Sequence, residues 1–405
     1  MDRIKNKKII FIHRLDKWQK YIEKIVIALI ILIPLININE IKMHFGIIER
    51  GGSAFLIKLI KDLGFILLFI LCILRMIYQS IPKYILLPII SIIFLICISV
   101  FLSMDEDPIV LIAGIRWILP LILLILLKDC ITLSMMKKFA LFLYIMLYVN
   151  LAAQIYETFN MPLYHGVSYL GLAARVPGLF SHAHSCGCFI CLCYYMNTVF
   201  FPNRPYKNLW DFCVFTSILL AMSSTGIIVW TILFFLFQIK KNSNFKIYML
   251  IIPLIGLLTY KYADIIIGRG IGASESSVGT RTGFLTKLFF NADYFSSTFG
   301  WSTHAIMQLK GKGIASDAFY GSFIANLGLI PFFILCITII ILAIKGYRTE
   351  NTTLLGYILL FGLCGVSSII WEVYPCNLFF SIIGAFLLST TKVYEKYHKI
   401  DNQNN

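Results

Sequence analysis

The sequence predicts an all-α integral membrane protein of about 12 transmembrane helices, on three grounds: composition, the length of its apolar runs, and the side on which basic residues fall. Of its 405 residues 59% are hydrophobic and 14% charged, against about 45–50% and about 25% in soluble globular chains. A run of about 20 apolar residues crosses the hydrocarbon and satisfies its own backbone hydrogen bonds. Such runs, bounded by charged or Pro/Gly-rich breaks, predict helices near 22–38, 59–78, 84–103, 109–127, 138–157, 179–201, 208–222, 224–240, 245–263, 319–344, 353–370 and 375–391.

Lys and Arg accumulate on the cytoplasmic side of short loops. The stretch up to Lys24 carries Arg3, Lys5, Lys7, Lys8, Arg14, Lys17, Lys20 and Lys24. With that end inside, alternate connections hold Arg75 and Lys83, then Lys128, Lys137 and Lys138, then Arg204 and Lys207, then Lys240, Lys241 and Lys246. Lys345 and Arg348 follow, and Lys392, Lys396 and Lys399 close the chain, so the inside segments collect most of the 35 basic residues. The turns expected outside are acidic, Met104–Pro108 and Trp371–Pro375. Both termini are therefore expected in the cytoplasm. The predicted layout is a basic tail over 1–21, nine helices over 22–263, a large extracytoplasmic loop over 264–318, three helices over 319–391 and a second tail over 392–405.

The net charge of +15 follows largely from this topology, and no nucleic-acid partner is expected. The first 21 residues lack an apolar core and the first span lacks a small-residue cleavage site, so no cleaved leader is expected. None of the 11 cysteines lies in the 264–318 loop, which excludes disulfide scaffolding there. Within the spans they read as small hydrophobes.

Candidate chemistry gathers at the outer side. Arg175 precedes a Pro177–Gly178 break in RVPGLFSHAHSCG, where a guanidinium holds a phosphate through paired hydrogen bonds or snorkels to the interface. Arg116 lies mid-span in GIRW, where a charge needs a cavity or a partner such as Glu157 or a carbonyl; a functional cation and a structural pair fit equally. Gly268, Gly270, Gly272 and Gly279 surround Arg269 and Arg281, a charge pattern suited to pyrophosphate although it is no phosphate-loop fingerprint. From Thr280 to Ser297, Phe284, Leu285, Leu288, Phe289 and Phe295 recur at helical spacing, predicting a helix that lies on the membrane or packs on the bundle. His304 is a candidate general base, and Asp317 a candidate to orient it or to take a sugar hydroxyl proton.

His184, Cys188 and Cys191 share a helix face, but no separated ligand pair closes a zinc site. No metal is expected, and His182 and His184 read as polar groups lining the outer cavity. Ser223-Ser224-Thr225-Gly226 reads as a helix break without a catalytic role.

The layout, the Arg-x-x-Gly-Leu-Phe-Ser run at Arg175 and the loop exit SDAFYGSFIANLGLIPFF, with its Asn-x-Gly-Leu, resemble the Wzy-type repeat-unit polymerases of O-antigen, capsule and exopolysaccharide assembly and the related O-antigen ligases. Polymerases often show Glu-Pro-Ser or Pro-Asn where this chain has His182-Ala183-His184-Ser185. Ligases show a His-Asn pair where it has Ser316-Asp317, which argues for polymerase. The resemblance implies a GT-C-like inverting glycosyltransferase, without metal or other cofactor, at the outer face of the bacterial cytoplasmic membrane. Its partners would be an undecaprenyl-diphosphate-linked oligosaccharide, membrane lipid, a chain-length regulator and a flippase. In that reading Arg175, Arg269, Arg281 and Arg116 hold the pyrophosphate, His304 or Asp317 is the base, and His182, His184 and Tyr320 line the cavity. A flippase or secondary transporter is the alternative of another class; it would show matched halves and midplane polar groups on broken helices.

Overall fold

A computed structural model of the chain describes residues 18–44, 53–78, 83–103, 107–159, 168–169, 172–173, 176–238, 286–303, 318–370 and 372–389. In chain order these form α1 (18–31), α2 (Ile33–His44), α3 (Ser53–Tyr78), α4 (Lys83–Leu102), α5 (Pro108–Leu126) and α6 (Leu133–Phe159). A two-residue antiparallel pair follows, β1 (Ser168–Tyr169) with β2 (Leu172–Ala173). Then come α7 (Ala183–Phe200), α8 (Lys207–Ala221), α9 (Ser224–Gln238), α10 (286–291), α11 (Phe319–Leu327), α12 (Leu329–Arg348), α13 (Thr352–Ser367) and α14 (Cys376–Leu388). Among the described residues three helices, α5, α6 and α12, are long and apolar enough to cross a membrane, and shorter apolar helices lie over Ile90–Leu102, Thr225–Phe237, Thr352–Val366 and Cys376–Leu388. The helix expected over 245–263 lies outside the described residues.

The chain divides into two compact units. The first draws on Met1–Ile92, Ile118–Ala221 and Val373–Asn405. Its core is α7, flanked by α6, α8 and α14 and buried almost throughout between Ser185 and Asn197. Small residues, Ser185, Cys186, Gly187, Cys188, Cys191 and Cys193, let neighbouring helices approach that closely, which accounts for the cysteine-rich run. Around it, the Tyr374 hydroxyl donates to the Leu29 carbonyl, Lys61 lies over the Tyr374 ring at 5.8 Å, and Ser381 Oγ donates to the Pro120 carbonyl at 2.7 Å. Arg75 Nη1 donates to the Lys128 carbonyl at 3.0 Å and the Leu126 carbonyl at 3.4 Å, satisfying acceptors that the end of α5 leaves without helical partners.

The second unit comprises Ile93–Trp117 and Met222–Glu372. Here α13 packs on α9, α11 and α12. Trp117 stacks on Phe319 with centroids 6.4 Å apart and meets Phe323 at 5.8 Å. Ser223 Oγ accepts from Gly226 N at 3.2 Å and so caps α9, giving the helix break expected at Ser223–Gly226.

Three expectations need correction. The span placed at 319–344 is two helices, broken at Gly328, whose φ of +89° and ψ of −178° belong to a region essentially confined to glycine. Leu329 N and Ile330 N there donate at 3.1 Å each to the carbonyls of Asp293 and Tyr294, outside the helix altogether. Secondly, the helix expected over Thr280–Ser297 ends at 291, because 293–303 becomes a strap bonded to α11, α12 and the α4 end. Leu288 of α10 packs against Ile324 and Ala325, and Phe289 meets Phe333 at 6.0 Å, whereas Phe290 is exposed. Finally, the helix placed at 179–201 begins at Ala183, since side chains of α6 hold residues 176–179 in a turn.

Candidate functional site

Asn150, Gln154 and Glu157 project from one face of α6, at i, i+4 and i+7. All three bind the RVPGLFS segment. Gln154 Nε2 donates to the Val176 carbonyl at 2.7 Å, Gly178 N donates to Glu157 Oε2 at 3.1 Å, and Leu179 N donates to Asn150 Oδ1 at 3.2 Å. The other ends of the two amides close on α8. Gln154 Nε2 also donates to the Ser217 carbonyl at 3.0 Å, and Ser217 Oγ donates to Gln154 Oε1 at 2.5 Å. Asn150 Nδ2 donates to Ser217 Oγ and to Gln154 Oε1, each at 3.3 Å. Val176 N completes the clamp by donating to the Leu220 carbonyl at 3.0 Å. Gly178 has φ +62°, and a Cβ there would stand 2.8 Å from Gln154 Cγ and 2.9 Å from the Asn150 carbonyl, so no larger residue fits. Such buried networks hold a segment in one arrangement when their members are satisfied. Arg175, the residue before Val176, lies outside the described residues.

Three residues on, His182 and His184 stack with centroids 5.2 Å apart and planes 11° from parallel, both half-buried at the start of α7. Cys188 and Cys191, which share a helix face with His184, are fully buried in the core of the first unit.

In the second unit the strap over 293–303 is the described segment that precedes His304 in the chain. Thr298 Oγ1 donates to the Ala325 carbonyl at 2.5 Å, and Ser296 Oγ donates to the same oxygen. Ser103 Oγ donates to the Ser297 carbonyl at 2.9 Å and accepts from Phe299 N at 3.2 Å. The Phe299 ring lies in a slot at Gly114, where a Cβ would come within 2.5 Å of it. Thr303, the last described residue before His304, donates to the Gly300 carbonyl through N at 3.2 Å and Oγ1 at 2.8 Å. On the other flank Ala318 is 1% exposed, and Phe319 N donates to the Ser368 carbonyl at 3.2 Å. Tyr320, expected to line a cavity, is half-buried and donates its hydroxyl to the Gly362 carbonyl of α13 at 3.0 Å.

Arg116 is exposed in the middle of α5, beside the exposed Ile112 and Ile115, with Trp117 turned inward. Glu157, one partner considered for it, accepts from Gly178. His304, Asp317, Arg175, Arg269 and Arg281 all lie outside the described residues.

The sequence singles out Asn326 only within the Asn-x-Gly-Leu run, and Asn150, Gln154 and Ser217 were passed over. Their signal was available, because an amide inside an apolar run needs a partner and the i, i+4, i+7 spacing of the α6 trio puts all three on one face. No protein-family model matches the chain, and neither a curated protein nor a solved structure does.

Proposed function

We propose that this chain is a repeat-unit polymerase that moves a growing glycan from undecaprenyl diphosphate to a new lipid-linked repeat at the outer face of the bacterial cytoplasmic membrane. In this reading about 12 spans of a GT-C-like bundle carry it, with both termini inside and the 264–318 loop outside. One observation carries the proposal: both segments that resemble the polymerases are built onto their helices by backbone hydrogen bonds. Val176, Gly178 and Leu179 are tied to side chains of α6, and Phe319 N, two residues after Asp317 in the chain, is tied to the Ser368 carbonyl at the end of α13. Such anchoring is what positioning catalysis asks of groups that must meet a large lipid-linked substrate.

The chemistry follows from the residue types. The leaving group is a diphosphate, and the guanidinium groups of Arg175, Arg269 and Arg281 would stabilise its developing charge without a metal ion. The acceptor hydroxyl loses its proton to His304 or Asp317 as the new glycosidic bond forms. Deleting the gene should collapse the cell's glycan ladder to a single repeat, and Arg→Lys variants at 175, 269 and 281 should lower turnover strongly while still inserting in the membrane. Wild-type ladders in all three Lys variants would overturn the pyrophosphate role. Liposomes separate this reading from a flippase, which moves the lipid-linked repeat without lengthening it.

A further inference from the structure

We propose that α10 and the first residues of the strap are an interfacial anchor, with the side chains of Phe289, Phe290 and Tyr294 seated in the headgroup–acyl boundary of a phospholipid bilayer. The anchor depends neither on the polymerase reading nor on which leaflet it meets. Leu288 turns inward onto Ile324 and Ala325, while its neighbours turn out: Phe290 is 78% exposed, Tyr294 is 74% exposed, and Phe289 and Phe333 are exposed beside them. Single exposed apolar residues are ordinary, but adjoining aromatic rings mark a surface that something covers. The Phe289 ring meets Phe290 at 5.8 Å and packs edge-on against Phe333 at 6.0 Å, and the Tyr294 carbonyl accepts from Ile330 N at 3.1 Å. The patch therefore runs directly into the exposed Phe333, Ile334, Ile337 and Ile340 face of α12.

α12 sets the depth of this patch. Its 20 residues rise about 30 Å at about 1.5 Å each, which matches a hydrocarbon core about 30 Å thick. Its last turn carries Lys345 and Arg348 with the exposed Tyr347 between them, residue types that hold a helix end at the interface. Leu329 and Ile330 then lie at the opposite interface, and Phe333, one turn on, lies about 6 Å further in. Phe289 packs on Phe333 and shares that depth, within the roughly 5–10 Å to which interfacial apolar faces are buried. A bilayer that covers Phe333 covers Phe289 as well. Tyr294 suits the same level, since its ring is apolar and its hydroxyl wet. Lys287, Asn291, Asp293 and Ser297, all exposed, supply a polar rim. Among the described residues 286–303, Lys287 and Asp293 are the only formal charges and they cancel, so ring insertion holds the anchor rather than attraction to anionic headgroups. The strap is rigidly joined to it. Ser296 and Thr298 donate to the Ala325 carbonyl, and Asn326 Oδ1 accepts from Gly300 N at 2.8 Å while Nδ2 donates to the Ser322 carbonyl at 2.9 Å. The strap is thereby kept at a set height on the bilayer.

The test places trifluoromethyl-phenylalanine by amber suppression at position 290, at 294 and, as a deep reference in mid-α12, at 340. The full-length protein, in single-copy phospholipid nanodiscs, is read by fluorine NMR for line broadening. Three agents are compared: lipid with a nitroxide near the headgroup, lipid with a nitroxide at the chain end, and a water-soluble gadolinium chelate. Positions 290 and 294 should broaden several-fold more with the shallow nitroxide than with the deep one or the chelate, and position 340 should prefer the deep nitroxide. The pattern should be the same in phosphatidylcholine and phosphatidylglycerol discs. If the label at 290 prevents accumulation, 294 carries the same expectations alone. Broadening at 290 and 294 by the chelate alone marks a face standing in water, open to a partner protein, and overturns the proposal. So does broadening by no agent, which marks a face covered by protein, and so does dependence on the anionic lipid. A position 340 blind to both nitroxides would remove the depth argument and the anchor with it.

Discussion

Gly178 shows how closely a single residue can be specified when a loop is pinned to a helix. Its φ of +62° is uncommon for other residues, and the space for a Cβ is filled by Gln154 and Asn150. Gly178→Ala should cost about 1–2 kcal/mol from backbone conformation alone, and more once the α6 amides are pushed aside. A thermal unfolding scan of the purified protein would show a lowered midpoint; an unchanged midpoint would contradict the clamp. Arg204 is the second such residue. Its side chain is 2% exposed, pairs with Asp211, lies over the Trp210 ring at 4.5 Å and donates to the Asn197 carbonyl at 3.3 Å. Trp210 in turn stacks on Tyr144 at 5.8 Å. Arg204→Ala should destabilise the protein, by less than the roughly 3–5 kcal/mol of a fully buried pair because the Asp211 side chain is 20% exposed. Arg204→Lys should recover only part, since an ammonium lacks the flat face that covers the indole; equal stability of the Lys variant and wild type would dismiss the stacking argument.

At the level of elements, the sequence made the helices legible where hydropathy changes and hid them where it does not. The ends of α5, α8 and α9 fall within two residues of the expected positions, because charged, Pro-rich or Ser-Thr-Gly breaks mark them. The run from Phe319 to Ile344 carries no charge, so the division at Gly328 is marked only by that glycine and by Pro331 three residues on, residues that apolar spans also tolerate. What breaks the helix is a distant segment, 293–303, that supplies carbonyls to Leu329 and Ile330. The candidate site was legible in the same uneven way. Charged and aromatic residues announced themselves, whereas Asn150, Gln154 and Asn326 stand out only as amides inside apolar runs, and the backbone groups they bind are not displayed by a sequence. Gly328→Ala tests the break directly. Its Cβ would stand 2.6 Å from Phe295 Cα and from the Tyr294 carbonyl, in a backbone region that costs on the order of 1–3 kcal/mol. Hydrogen exchange should then rise in peptides covering 293–303 and 328–332; protection equal to wild type would count against the strap's pairing with α12.

For the molecule as a whole, the long apolar helices say that the chain is suited to a bilayer, and the exposed face of α12 (Ile330, Phe333, Ile334, Ile337, Ile341, Ile344) is of the kind that lipid covers. Orientation is a separate matter, resting on where Lys and Arg fall. Reporter fusions should place residue 1 and residue 405 inside and the 264–317 region outside; a cytoplasmic signal from that region would remove the polymerase proposal, because the lipid-linked sugars it needs would be on the wrong side.

The strap's pairing with α12 also bears on how the protein is made. Asp293 and Tyr294 leave the ribosome before Leu329 and Ile330. The acceptors are thus synthesised ahead of the donors, and the leading amides of α12, which hydrocarbon would penalise if left bare, can find their mates as soon as that helix is laid down. Swapping the order of these segments by circular permutation would force α12 to enter the membrane with its top uncovered.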